Sequence, residues 1–401
     1  MAVLQSSQIE ILTGNNILPE LIKKIIYSKP EGLSGKIIAV PLNIASRAYG
    51  PLVEFKYYLH KKGILERKRL PIKVISIGNI TLGGTGKTPT TQYLAKFLSE
   101  KGFKPIILSR GYKRKGNIDE IKIVSDGNKI LSNPSESGDE PYLLAQNLKG
   151  VPVVVGKNRY KAGMLAIEKF KSNVALLDDG FQHFALDRDL DILLINSLNP
   201  FGNGYLFPRG QLREPIKALS RAGIIIITKS DSEMRNNRVT SVPHFPIKSI
   251  DEITNTIRKY NTKALIAKSI HKFTKLFGEN DTLELNQLKD KKVLAFCGIA
   301  DEYYFTYKLS QIASNNKCII FDDHHHYTES DVNNILNNFQ EFKADTLVTT
   351  QKDYYKVKKL FIDNRRINAT ATNLYYIGMG IEIIENKEAL EQMILHILSI
   401  S

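Results

Sequence analysis

The sequence predicts an α/β protein: a mainly parallel sheet, a second, smaller α/β domain after it, and a helical arm before it. Three observations predict this class. Short apolar runs alternate with helical periodicity from Lys73 onward, a polar stretch interrupts them between 233 and 290, and a basic, aromatic-rich stretch precedes them. Parallel strands read as continuous apolar runs because helices cover both sheet faces, and each crossover needs a dozen or more residues.

The arm, residues 1–70, contains "IIAVPLNIAS" and "AYGPLVEFKYYLHKKGILERKRL". Leu, Ile, Tyr and Phe are mixed there with Lys56, Lys61, Lys62, Arg67, Lys68 and Arg69. That composition suits a segment lying in a membrane interface, and equally an amphipathic helix packed on the protein's own core. No uncharged apolar run approaches the roughly 20 residues that cross a bilayer. The N-terminus lacks the basic start, apolar core and cleavage site of a secretory signal, so the expectation is a protein that is not exported.

Residues 71–232 form the expected nucleotide-binding domain. Its strands are "KVISIG", "KPIILSR", "VPVVVG", "VALLDD", "DILLIN" and "GIIIITKSD", with helices from Gly86 to about Lys101, from Pro141 and from Arg159. Residues 233–290 read as a connector with one strand at "KALIAKSI" and a loop at "GENDTLELN". Residues 291–401 supply the smaller domain, with strands "KKVLAFCGI", "CIIFDD", "ADTLVTT" and "NLYYIGMGIEI" and helices near Tyr303, from Glu329 and from Asn386. The two cysteines, Cys297 and Cys318, have no metal-ligand spacing, which suits a reducing compartment. The net charge of +15 points to an anionic partner: nucleic acid, acidic lipid or a phosphorylated substrate.

The chemistry-bearing residues gather at the ends of the predicted strands. Thr81, Leu82, Gly83, Gly84, Thr85, Gly86, Lys87 and Thr88 follow a strand and open a helix, where backbone N–H groups cradle phosphate oxygens. Lys87 then reaches the β- and γ-phosphates, and Thr88 ligates Mg²⁺. This makes the domain P-loop NTPase-like, although Thr81 stands where a strict Walker A has its first glycine. Asp178 and Asp179 end an apolar strand, and one of them should position the metal. Arg110 in "LSRGY" and Arg213 beside Glu214 in "RGQLREP" are either phosphate clamps or surface ion pairs. Asp139 and Glu140 in "SGDEP" have the composition of a helix cap. In "FDDHHHYT", adjacent histidines point in different directions, which favours one working histidine over a zinc site. "TKSD" (Thr228 to Asp231) is similar to the guanine-reading element of GTPases and supports a rival reading, a nucleotide-dependent switch or metallochaperone; no Asp-x-x-G follows the "VALLDD" strand.

Taken in order, "GNITLGGTGKTP", "LSRGY", "SGDEP", "VGKNRYKA", "LLDDGFQH", "RGQLREP", "FDDHHHYT" and "TTQKDYYKV" closely resemble the tetraacyldisaccharide 4′-kinase family of lipid A biosynthesis. In that family Thr81 is the normal first residue of the loop. The resemblance implies transfer of the ATP γ-phosphate to the 4′-hydroxyl of a tetraacyldisaccharide 1-phosphate. It places the enzyme at the cytoplasmic face of the bacterial inner membrane, peripheral or monotopic, on an anionic lipid surface, with no nucleic acid and no obligate protein partner. It implies that Thr81 to Thr88 bind ATP and that Asp139 is the base with a histidine, His324 before His325. Asp178, Asp179 and Glu214 would surround Mg²⁺, and Arg110, Arg159, His183 and Arg213 would contact substrate or phosphate. The arm separates this reading from a kinase of a soluble sugar.

Overall fold

The computed structural model describes residues 9–11, 26, 32–112, 114–231, 248–368 and 374–400. The chain divides into two compact units, one of residues 16–271 and 381–401, the other of residues 1–15 and 272–380.

In the first unit the strands run in the order Leu265–Phe277, Ile224–Thr228, Leu190–Asn196, Lys73–Asn79, Val174–Asp178, Pro105–Ser109, Val153–Val155 and Lys122–Ser125. Neighbours are parallel except the last pair, where Lys122–Ser125 is antiparallel to Val153–Val155. Side chains alternate between the two covered faces. Ile192 and Leu194 join one core with Ile75, Ile77 and Leu176, whereas Leu193 and Ile195 join another with Ile225 and Ile227. Helices Lys87–Glu100, Asp139–Asn147 and Arg159–Phe170 fall where the sequence predicts them. The last helix, Lys387–Ser399, packs on this unit through Leu390 and Ile394, and the Tyr93 hydroxyl donates to Glu391 at 2.6 Å.

The arm is a helix, Gly32–Lys61, seated on the same unit. Ala39, Ser46 and His60 are buried. Ser46 donates to the Leu206 carbonyl at 2.8 Å, Tyr57 meets the edge of Phe184, and Lys217 pairs with Glu54 at 2.7 Å. The opposite stripe, Ile37, Val40, Ile44, Leu52 and Phe55, is exposed by 56–66% at each position. Among the described residues no helix is long and apolar enough to cross a membrane.

The polar stretch predicted as a connector contains a helix, Ile250–Tyr260. Ser249 and Glu252 form its capping box, and Ile253 and Ile257 bury its inner face. A short strand, Thr282–Glu284, stands within the predicted loop and pairs antiparallel with Lys275–Phe277.

In the second unit Ile9–Ile11, Asn315–Ile320, Lys292–Cys297, Thr346–Thr350 and Leu374–Glu385 pair in that order, all parallel. Val293, Ala295 and Cys297 face one core and Leu294 and Phe296 the other. Besides Glu302–Ser310 and Glu329–Phe342, a helix absent from the sequence reading, Gln351–Asn368, follows Thr350 directly. It buries Tyr354, Val357 and Phe361.

Candidate active site

The loop Thr81–Thr88 is held from three neighbouring strand ends. Asn79 donates to the Thr85 hydroxyl at 2.8 Å, Thr228 to the Thr85 carbonyl at 3.0 Å, and Lys229 and Asn196 to the Gly84 carbonyl at 2.8 and 3.3 Å. Its first half is also paired with "RGQLREP". Thr81 bridges Leu212, the Leu82 N–H donates to the Gln211 carbonyl at 2.7 Å, and the Arg213 N–H donates to the Ile80 carbonyl at 2.7 Å. Thr81 therefore occupies extended backbone, where a β-branched residue fits, while Gly83 and Gly86 take the left-handed turns at φ 106° and 86°. Gly86 caps helix Lys87–Glu100, so the helix N-terminus opens at Lys87 and Thr88.

Asp178 and Asp179 lie beside this helix start, in different electrostatic settings. Asp178 is buried and accepts from Ser109 at 3.2 Å and Thr91 at 3.5 Å. Burial, then the charges of Glu140 and Asp179, push its carboxyl up to about 7, against Lys87. For Asp179 burial works in the same direction, but Lys87 and Arg213 outweigh it and hold this carboxyl below its ordinary value. Arg213 Nη1 lies 2.9 Å from both Asp179 oxygens and Lys87 Nζ 3.9 Å from Oδ1. Asp178, Asp179 and the Thr88 hydroxyl offer the oxygen donors that a hard divalent cation takes. Among the described residues no three His, Cys, Asp or Glu side chains converge on one point.

Glu214 is placed differently. It is buried, and both its oxygens are engaged: Arg221 donates to them at 2.6 and 2.8 Å and Gln182 donates to Oε1 at 2.8 Å. The second amide bond of Gln182 goes to the Asn79 carbonyl at 2.9 Å, tying this pair to the strand that leads into the loop.

Arg110, Arg159 and His183 share one field. Arg159 is buried, and burial followed by the Arg110 charge lowers its guanidinium to about 10. Its Nη1 donates to the Lys157 carbonyl at 3.2 Å, and its buried Nε has no hydrogen-bond partner among the described residues. Burial, then Arg159 and Arg188, lower the His183 imidazole to about 3, so it is neutral at pH 7. Asp139 opens helix Asp139–Asn147 behind Gly138. A Cβ at Gly138 would come within 2.8 Å of the Tyr112 carbonyl, so the "SGDEP" and "LSRGY" loops touch.

A family model described as tetraacyldisaccharide-1-P 4′-kinase matches residues 38–399. The chain belongs to this family. A curated tetraacyldisaccharide 4′-kinase of Halothermothrix orenii is 36% identical over 376 residues, 90% of this chain and 93% of that protein. One of Desulfatibacillum aliphaticivorans is 38% identical over 350 residues, 84% of this chain and 88% of that protein. Among solved structures, LpxK from Aquifex aeolicus in complex with ATP is 31% identical with a TM-score of 0.66, covering 90% of this chain and 99% of that one.

Within this kinase-family chain the histidine cluster belongs to the second unit. His324 has φ 64°, its N–H donates to the Gly298 carbonyl at 3.2 Å, and its Nε2 lies 3.2 Å from Lys352 Nζ. His325 instead stacks on Phe321 at 4.8 Å between ring centroids, and its Nε2 meets Asp331 at 3.1 Å. Gln182, Arg221, Lys229 and Lys352 were missed as site residues from sequence. Gln182 and Lys229 lie within quoted motifs, and Lys352 within "TTQKDYYKV"; for Arg221 the sequence carries no such signal.

Proposed function

We propose that the chain transfers the γ-phosphate of ATP to the 4′-hydroxyl of a tetraacyldisaccharide 1-phosphate at a membrane surface. The observation that carries this reading is the join between loop Thr81–Thr88 and Gln211–Arg213, which sets the Arg213–Asp179 pair beside Lys87. Backbone N–H groups of the loop Thr81–Thr88 other than those of Leu82 and Thr85, which donate to the Gln211 and Gly83 carbonyls, bind the phosphates, and Lys87 follows the charge that moves onto the β–γ bridge during transfer. Mg²⁺, held by Thr88 with Asp178 and Asp179, would neutralise phosphate charge when bound. Glu214 serves as the anchor of Gln182 and Arg221, because both its oxygens already have donors. Arg110 and the Nε of Arg159 hold an anionic group of the acceptor or the leaving phosphate, with neutral His183 as a hydrogen-bonding neighbour.

Asp139 is the general base for the sugar hydroxyl and His324 the histidine of the reaction, a role that the ring packing and Asp331 contact of His325 argue against for that residue. Phosphoryl transfer asks little covalent work of a protein, so placement of the hydroxyl carries most of the effect.

The exposed stripe of helix Gly32–Lys61 lies in the headgroup boundary of the inner membrane's cytoplasmic face. Lys36, Arg47, Lys56 and Lys61 on its surface meet anionic lipid at about 1 kcal/mol each. No part is assigned to nucleic acid.

With purified protein and micellar acceptor, ADP should appear only when the tetraacyldisaccharide 1-phosphate is present, one per acceptor phosphorylated. ADP release that ignores the acceptor would overturn the reading in favour of a nucleotide switch.

A further inference from the structure

His324 is the non-glycine residue at a left-handed turn in a loop with its own support. Its N–H donates to the Gly298 carbonyl at 3.2 Å, and the Gly298 N–H donates to Asp353 at 2.9 Å. Asp353 is fully buried and also accepts from the Thr350 hydroxyl at 2.7 Å. A Cβ on Gly298 would stand 3.0 Å from the Asp322 carbonyl, 3.1 Å from the Tyr327 hydroxyl and 3.3 Å from Asp353, so a larger residue would have to push these neighbours back by a few tenths of an ångström. A backbone held in this uncommon region points to a side chain that must be aimed.

The aim is set by Lys352. Its Nζ lies 3.2 Å from His324 Nε2 and 3.3 Å from Asp323 Oδ1. An ammonium has only donors, so Nε2 must accept, and the ring's one proton sits on Nδ1. Asp323 Oδ1 stands 3.9 Å from His324 Nε2, beyond hydrogen-bond reach, whereas Asp331 faces His325 and Lys356 Nζ lies 4.0 Å from Asp353. We propose that Lys352 is a positioning residue for the reaction, donating to Nε2 of His324 and so fixing the ring's orientation with its N–H at Nδ1.

This assignment rests on the reading of His324 as the histidine of the reaction, and it gives that residue a definite state. With Nε2 occupied, the ring is not the acceptor of the hydroxyl proton; its one N–H, at Nδ1, is held as a donor. His325 carries the opposite tautomer, because its Nε2 faces the acceptor Asp331. The molecule thus contains its own reference signal.

The experiment is ¹⁵N imidazole NMR of the full chain in detergent, with His324 signals assigned by their loss in His324→Gln, alongside turnover on micellar acceptor. In the wild type, His324 should show an acceptor-type Nε2 and His325 a donor-type one. Lys352→Met should bring in the Nε2–H form of His324 and lower kcat roughly tenfold to a hundredfold, the range for groups that orient a working imidazole. The KM for ATP should stay unchanged, and Lys352→Arg should restore the tautomer and most of the turnover. A donor-type Nε2 at His324 in the wild type, or a Lys352→Met protein with wild-type tautomer and kcat, overturns the proposal. If the tautomers are as stated but His324→Gln turns over normally, the catalytic reading of His324 fails, and the role of Lys352 in turnover fails with it.

Discussion

Arg213 holds Asp179 through a single nitrogen that lies 2.9 Å from both carboxylate oxygens, and Lys87 approaches the same carboxylate at 3.9 Å. Asp178, its neighbour in sequence, has no arginine partner; burial and the charges of Glu140 and Asp179 outweigh Lys87 and drive it towards the neutral acid. Adjacent aspartates thus end one strand in different states, and the cation that Asp179 keeps is the one that "RGQLREP" delivers.

Removing that cation should affect chemistry more than stability. In Arg213→Gln, turnover should fall about a hundredfold, because Asp179 beside Lys87 loses its placement. The unfolding free energy should change by about 1 kcal/mol or less, since both side chains keep partial solvent contact. A full Michaelis–Menten series beside urea unfolding separates the two; a large stability loss with normal kcat in the folded fraction would show a structural pair.

Lys87→Ala should lower kcat by roughly a hundredfold or more while the fold is retained. Because Lys87 is the cation that lowers the Asp178 carboxyl, the variant should also need a higher pH for its residual activity. Wild-type turnover in a folded Lys87→Ala protein would remove the phosphate loop from the mechanism.

Arg221 and Glu214 make the opposite case. Glu214 is buried and Arg221 is only 11% exposed, so Arg221→Met leaves a buried carboxylate with no counter-charge and should destabilise by about 3–5 kcal/mol. Glu214→Gln with Arg221→Met together should recover much of the loss. Thermal unfolding of the two singles and the double measures this coupling directly.

The strands were legible because buried parallel strands are written as apolar runs: "VALLDD" and "GIIIITKSD" became Val174–Asp178 and Ile224–Thr228. Helix Gln351–Asn368 was missed because no loop separates it from the strand before it and its surface is crowded with Lys, although Tyr354, Val357 and Phe361 carry helical spacing. Helix Ile250–Tyr260 was readable from Ser249, Glu252 and the isoleucine spacing, which the surrounding polarity obscured. The motif residues at strand ends were found for the same reason as the strands. Arg221 was not, because its partner Glu214 is chosen by tertiary packing and by nothing local.

His183 gives a pH signature. Its folded value near 3 lies below the ordinary 6.5, so the unfolded chain binds the proton more readily. Its contribution to stability is therefore complete above about pH 6.5 and is lost as pH falls towards 3, with a slope of at most about 1.4 kcal/mol per pH unit, reduced by the ring's partial solvent contact. His183→Gln should flatten that part of the stability curve, read by urea unfolding between pH 4 and 7.

The exposed stripe of the arm should be separable from the fold. Ile44→Ser, Leu52→Ser and Phe55→Ser together remove apolar surface that is mostly exposed, so the melting temperature should change little while flotation with anionic liposomes weakens. Equal flotation of the triple variant and the wild type would place membrane binding elsewhere.

The central claim is tested most directly by ³¹P NMR of the lipid product formed from ATP and tetraacyldisaccharide 1-phosphate in detergent micelles. The account predicts one new phosphomonoester, coupled to the proton at the 4′ carbon, absent when Lys87→Ala replaces the wild type. Phosphate on another hydroxyl, or no lipid phosphate from active, folded protein, would contradict it.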